Sequence, residues 1–135
     1  GNRVVDTVRS GGGLLISSGH GAIPLAGTIL AENNRFIRTG GDCYVDGKNG
    51  GLWIHAHDSD MKAKIVVRQL EILDSAHAGI TLHGPRSIND LTFENVLLQG
   101  PNERGLHIMP GAAAINVKAD GLRVVRTTAA PATSP

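Results

Sequence analysis

The chain has 135 residues, the length of one domain, and a domain of that length buries about two thirds of its unfolded surface. Hydrophobic residues make up 41% of it and the formal net charge is +1, which excludes a disordered charged tail and a strongly cationic nucleic-acid binder. Eighteen glycines and an aromatic content of 3% indicate many turns and small core side chains. The single cysteine, Cys43, excludes an internal disulfide framework and a cysteine-rich zinc site, and no apolar stretch is long enough for a membrane span.

Four glycine-led apolar segments recur along the chain. They begin at Gly13, Gly51, Gly79 and Gly105, with separations of 38, 28 and 26 residues. In each segment the first and third residues after the glycine are apolar, and this period of two is typical of a β-strand with one buried face. The longest separation contains an insertion, residues 42–50, whose Asp, Asn and Gly content indicates turns rather than a calcium site.

A second repeating unit lies between these segments, and its copies begin at Ile29, Ile65, Leu91 and Ile115. Counted from zero, its positions zero, two and seven hold only apolar residues, namely Ile29, Ala31, Phe36, Ile65, Val67, Ile72, Leu91, Phe93, Leu98, Ile115, Val117 and Leu122. Position three alternates in charge, as stacked strands prefer, through Glu32, Arg68, Glu94 and Lys118. Position four, where the strand must bend, is mostly amide and holds Asn33, Gln69, Asn95 and Ala119. We expect one strand before this bend and another around position seven.

Residues 61–78 contain no glycine or proline, and Val66, Leu70 and Leu73 fall at helical spacing, so a helix is the alternative there. The matching columns in the other copies favour strands, because a helix would leave those matches to coincidence. The sequence therefore predicts an all-β fold. It is a right-handed single-stranded parallel β-helix, or β-solenoid, of about four to five coils stacked about 4.8 Å apart over residues 1–126. Residues 127–135 form a Thr-, Ala- and Pro-rich tail.

Both ends of this solenoid are expected to lack a strand. Residues 2–7 match residues 34–39, so the first coil begins in its second strand, and the last coil has no glycine-led third strand. Solenoid ends normally carry a polar cap, and the sequence offers none. Two explanations stay open: the chain is a piece of a longer enzyme, or copies stack head to tail into a filament. The apolar side chains expected at the ends are Val4, Val5, Ile115, Val117, Leu122 and Val124.

The glycine-led strands are expected to present two outward columns. The first holds Leu15, Trp53, Thr81 and His107, and the second holds Ser17, His55, His83 and Met109. One interpretation is a sugar platform, in which Trp53 stacks on a pyranose ring and the histidines donate hydrogen bonds. The other is a seam on which a loop, the tail or a second subunit packs. No acidic or cysteine ligand stands beside His55 and His83, so we expect no metal and no cofactor.

The chain also contains the segments GGGLLIS (11–17), GAIPLAGT (21–28), GLWI (51–54), DSAHAGI (74–80), LTFENV (91–96) and PGAAA (110–114). Together they resemble the final coils of glycoside hydrolases of the mycodextranase and α-1,3-glucanase type, over nearly the whole chain. The resemblance implies a parallel β-helix in a secreted protein. It also implies that the aspartate cluster of such hydrolases, which includes an adjacent Asp-Asp pair, belongs to coils before those matched here. This chain has no Asp-Asp dipeptide.

Glycoside hydrolysis needs two carboxyl groups about 5 to 9.5 Å apart across the sugar. Asp58 and Asp60 are two residues apart and could share a face, but solvated turn residues are the simpler interpretation. No catalytic residue is therefore assigned. The sequence predicts a secreted, non-catalytic structural module whose partners are copies of itself and not nucleic acid. The alternatives are the C-terminal framework of a secreted α-glucan hydrolase and a polysaccharide-binding module.

Overall fold

The computed structural model describes residues 1–7, 12–18, 24–40, 50–101 and 105–127. All regular structure in these ranges is β-strand. The strands are β1 (Arg3–Val5), β2 (Leu14–Ser17), β3 (Thr28–Ile37), β4 (Leu52–His55), β5 (Met61–Leu73), β6 (Ile80–His83), β7 (Ser87–Gly100), β8 (Leu106–Ile108), β9 (Ala113–Ala114) and β10 (Val117–Arg126). No helix in this part of the chain could cross a membrane. The insertion around Cys43 and most of the predicted tail lie outside the described residues.

From β1 to β8 the strands alternate between two parallel sheets, and β9 and β10 both belong to the first of them. The long-strand sheet has the order β1-β3-β5-β7-β10, with β9 also paired to β7, and the short-strand sheet has the order β2-β4-β6-β8. Each long strand and the short strand that follows it are called a repeat below. The all-β, parallel prediction is confirmed, and the helical alternative for residues 61–78 is excluded because Met61–Leu73 is a strand.

The columns read from the sequence are confirmed in the first three copies. Ile29 is paired with Ile65 and Ile65 with Leu91, and the apolar residues of the glycine-led segments pair in the same way from β2 to β8. Inward side chains of both sheets form one buried cluster whose largest fully buried members are Phe36, Leu52, Ile54, Met61, Ile65, Ile72, Ile80, Leu82, Ile88, Leu91, Phe93 and Leu98. The period of two therefore fills one core from both sheets.

Each long strand bends at the predicted position four. Asn33, Gln69 and Asn95 have φ of 57°, 51° and 51°, in the left-handed region that Asn tolerates better than most residues. The two strands expected on either side of the bend are joined through this residue into one long strand. We call the column of these residues the first corner.

The register predicted for the last copy is wrong by two residues. Val117, not Ile115, is paired with Leu91, and Val124, not Leu122, with Leu98. A shift of two keeps every side chain on its face, so the apolar pattern allows both registers. The corner decides between them, because the shift brings Gly121, with φ of 72°, into the first corner in place of Ala119. Position three then holds Asp120 opposite Glu94 instead of the expected Lys118.

A glycine precedes each short strand because its backbone lies very close to an apolar side chain of the next long strand. A Cβ at Gly13 would lie 2.3 Å from the Phe36 ring, and one at Gly105 would lie 2.4 Å from Val124 Cγ1. The equivalent Gly51 approaches Ile72 in the same way, at 2.6 Å. A bulkier residue would have to push the position-seven side chain out of the core. The recurring glycine therefore marks the point where the turn between the sheets packs on that side chain.

Candidate functional site

The outward face of the short-strand sheet carries the predicted aromatic and histidine residues. Trp53 is paired with Thr81 and Thr81 with His107, while His55 is paired with His83. Leu15 and Ser17 continue the two columns in β2. We call Trp53, His55, Thr81, His83 and His107 the tryptophan face.

The rings of the tryptophan face form one continuous stack. His55 and His83 lie nearly parallel, with centroids 4.7 Å apart and an interplanar angle of 7°. The Trp53 ring is stacked on both, at 5.0 Å from His55 and 6.0 Å from His83. The buried Nε1 of Trp53 has no hydrogen-bond partner among the residues that the structure describes, so ring contacts hold the indole. The part of the indole that touches imidazole is closed to a sugar ring.

Thr81 lies in the tryptophan face but is buried, so the face is not a continuous exposed platform for a ligand. Thr81 is 0% exposed although its column points away from the core, and its neighbours Trp53 and His107 are half-buried. A hydroxyl with no exposed surface can bond a bound sugar only if the structure around it opens. This burial is what a packed seam requires, and it limits the accessible platform to the half-buried rings of Trp53, His55, His83 and His107.

The polar turn after β4 holds the carboxylates singled out in the sequence. Asp58 contacts His57 Nδ1, whereas Asp60 Oδ1 accepts a hydrogen bond of 3.0 Å from the Ser87 N–H. This bond to Ser87 is the main reason that the pKa of Asp60 is lowered. Each carboxylate thus has its own partner. In the described ranges no three His, Cys, Asp or Glu side chains are placed to hold a metal ion.

A second candidate site is the C-terminal end of the two sheets. The described residues place no strand on the free edge of β10, whose other edge is paired with β7. Val117 is 41% exposed and Val124 is 55% exposed, whereas their column neighbours Leu91 and Leu98 are 0% and 1% exposed. Ile108 in β8 and Ile115 before β10 are also about half exposed, and Leu122 is half-buried. Positions that are core in the interior repeats are therefore half open here.

The N-terminal end is open over part of one strand. β1 covers β3 only opposite Arg35 to Ile37. On this edge the first half of β3 has no neighbouring strand among the described residues, although its other edge is paired with β5. A concavity of about 550 Å³ lies at this place. Its lining is mixed, with apolar residues such as Val4 and Ile29 and polar residues such as Arg3, Glu32 and Asn34. Val4 and Val5 themselves are half-buried against β3. The concavity borders the edge of β3 that β1 does not cover.

The chain was compared with known proteins at the level of families, individual proteins and structures. No protein family, curated protein or solved structure matches it. The resemblance to glycoside hydrolases accordingly stays a prediction.

Charged residues form columns next to both corners of the long-strand sheet. It was not predicted from the sequence that these columns distinguish the first and last strands from the interior ones. Next to the first corner, Arg68 bonds Glu32 at 2.8 Å, and Arg35 bonds Glu71 at 3.1 Å. At the second corner, where the long strands end, Arg38 binds both carboxylate oxygens of Asp6, and the hydrogen bond from Arg38 lowers the pKa of Asp6. Opposite charges thus alternate between interior repeats. The alternation of charge is visible in the sequence repeats. Because the predicted register of the last copy is wrong by two residues, the sequence alone did not show that the alternation ends at Asp120.

Proposed function

We propose that the chain is a right-handed parallel β-helix module of an extracellular, non-catalytic structural protein, and that it self-associates head to tail through its two ends. The observation that carries this proposal is the exposure of Val117 and Val124, which stand in columns that are fully buried in the interior strands β5 and β7. An open parallel edge above a bare apolar surface is a template for another parallel strand. At its N-terminal end, a second copy has strands whose residues belong to the same columns as those of the strands at the C-terminal end.

The proposed contact is heterologous, because different surfaces of the two copies meet. Such a contact repeats without closing when the copies continue one axis, so it produces a filament. Covering the exposed half of one valine or isoleucine side chain contributes about 1 kcal/mol, and several such side chains lie at the C-terminal end. Burial of these apolar side chains therefore favours the associated state over the free chain.

A second candidate function is the C-terminal framework of a secreted α-glucan hydrolase. The concavity beside Ile29 and Leu30 supports it equally, because further repeats of one longer chain would fill the same space. A polysaccharide-binding module is a third candidate, supported by the exposed part of Trp53 alone. The separate partners of Asp58 and Asp60 favour a framework or binding role over catalysis by this part of the chain.

Sedimentation velocity over a range of protein concentrations, followed by electron microscopy of negatively stained material, tests the proposal. We expect the wild-type chain to form species larger than a monomer and linear particles as the concentration rises. Val124→Asp should abolish them, because a carboxylate would be buried in the contact. Val66→Asp is the matched control, since Val66 points outward in an interior strand, and it should assemble like the wild type. A wild-type chain that stays monomeric at every concentration contradicts the proposal.

A further inference from the structure

The first and last strands of the long-strand sheet carry the same three residues in the same columns. β1 is Arg3-Val4-Val5, and the second half of β10 contains Arg123-Val124-Val125. Arg3 is paired with Arg35, and the column continues through Glu71 and Leu97 to Arg123. If β10 of one copy lay on β3 of another copy, it would present the same three side chains that β1 presents within its own chain.

A count of strands shows what happens if β1 stays in place when two copies stack. β10 of one copy would then lie on β1 of the next, and the first half of the next β3 would face an empty strand position. The free edge of β8 would also face a vacancy, because the nearest short strand of the second copy would be two positions away. Such a contact leaves Ile29 and Ile108 uncovered.

No strand position stays empty at the contact if β10 takes the place of β1. Following the observed register, Val117 then lies beside Ile29 of the next copy and Val124 beside its Phe36. β8 at the same time meets β2, so that Ile108 lies beside Ile16 of the next copy. Every end strand finds a parallel partner, and only β1 is left over.

From this register we infer that the copies join by strand replacement, in which β10 of one copy displaces β1 from β3 of the next, and that β1 is a removable cap. The inference rests on the proposed self-association and specifies its register. β1 is three residues long, and its flanks hold it: Asn2 N and Nδ2 donate to Asn34 Oδ1 at 3.0 and 3.2 Å, and Asp6 binds Arg38. β10 has Leu122 and Arg126 in the places of Asn2 and Asp6, so it lacks both contacts.

Charge decides when replacement occurs. In the proposed contact Asp120 lies beside Glu32 of the next copy and Arg126 beside its Arg38, and these are two like-charged pairs that β1 does not make. Arg123 beside Arg35 of the next copy only repeats the like-charged pair of Arg3 with Arg35. Like charges directly opposite each other destabilise neighbouring strands. Salt screens such exposed pairs, since the Debye length falls from about 30 Å at 0.01 M to about 3 Å at 1 M. The cap should therefore hold at low ionic strength and yield at high ionic strength.

Engineered disulfides in the 135-residue chain distinguish the two registers, in a background with Cys43→Ser. Ile37→Cys with Val125→Cys places the thiols on adjacent strands only if β10 has replaced β1. Val5→Cys with Val125→Cys does so only if β10 lies on β1. Neighbouring strands are about 4.8 Å apart, and a disulfide needs Cα atoms about 4.4 to 6.8 Å apart. Within one chain, positions 37 and 125 are three strands apart, about 14 Å, so this pair cannot close internally.

We expect the 37/125 variant to give a ladder of covalent oligomers on a denaturing gel at about 1 M sodium chloride and little at about 0.01 M. Deletion of residues 1–7 in the same background should lower the concentration needed for half-maximal cross-linking about tenfold. Asp120→Lys should weaken the salt requirement, because lysine would attract Glu32 of the next copy.

Cross-linking of the 5/125 variant alone, or a loss of assembly on deletion of residues 1–7, overturns strand replacement while self-association stands. Wild-type assembly with neither pair cross-linked also overturns it. A wild-type chain that is monomeric at both salt concentrations, with neither pair cross-linked, overturns the proposed function as well.

Discussion

Asp120 lies directly opposite Glu94 in the pair of strands β7 and β10, and this contact ends an alternation of charge. In the same column Glu32 is opposite Arg68, and Arg68 is opposite Glu94. The last strand therefore carries a repulsion that the interior strands avoid. The effect is small per pair, because each of these side chains is at least partly exposed to solvent.

Replacement of Asp120 by lysine should stabilise the chain. The change converts a like-charged pair into an opposite-charged one, and cross-strand pairs of this kind are worth about 0.2 to 1 kcal/mol. Urea unfolding followed by circular dichroism at low ionic strength measures it. Asp120→Asn, which only removes the repulsion, should give a smaller gain, and equal stability of all three proteins would show that the pair carries no energy.

The ion pair of Asp6 with Arg38 predicts a pH dependence of stability. The hydrogen bond from Arg38 lowers the pKa of Asp6 in the folded state. A lowered pKa contributes stability above the unfolded-state pKa, and this contribution is lost as the pH falls through the folded-state pKa. The urea midpoint should therefore fall between about pH 5 and pH 2 by less in Asp6→Asn than in the wild type.

Asp60 provides the control for this titration. Its pKa is lowered by the Ser87 N–H, so a residual acid dependence should persist in Asp6→Asn and shrink further in the double variant with Asp60→Asn. An unchanged acid dependence in the double variant would assign the acid sensitivity to other groups.

The first corner predicts an unusual substitution pattern at Gly121. Its φ of 72° resembles that of Asn95 in the preceding repeat, so Gly121→Asn should change the free energy of unfolding by less than about 1 kcal/mol. Gly121→Val should cost about 1 to 2 kcal/mol or more, because a β-branched residue is strained there. A Cβ at this position would meet Asn95 Oδ1 at 2.8 Å, the end of a side chain that can rotate. Thermal unfolding ranks the variants, and equal losses for Asn and Val would refute the corner argument.

Substitution of Trp53 separates a packed seam from a sugar platform. The indole is stacked on His55 and His83, so Trp53→Ala should lower the free energy of unfolding by about 2 kcal/mol, less than a fully buried tryptophan would lose. Affinity electrophoresis in gels containing α-glucan should show no change in retention. Lost retention with unchanged stability would support the polysaccharide-binding alternative, and Trp53→Phe, which keeps an aromatic ring, is the milder comparison.

The columns of the first three repeats were predictable from the sequence alone. Apolar residues at alternating positions and a glycine before each short strand recur because neighbouring parallel strands impose the same environment at the same position. The match between residues 2–7 and 34–39 likewise located β1 on β3. This periodicity depends only on which residue types recur at which spacing, so the sequence alone is sufficient to show it.

The tertiary structure alone decided the register of the last strand, the burial of Thr81 and the meeting of Asp120 with Glu94. A shift of two residues preserves the alternation of faces, so only the backbone requirement at Gly121 tells the two registers apart. Thr81 occupies an outward column, and its burial depends on what packs over that column rather than on its own strand. A periodic sequence determines which side chains share a face, whereas contacts between distant segments determine which of them are covered and which charges meet.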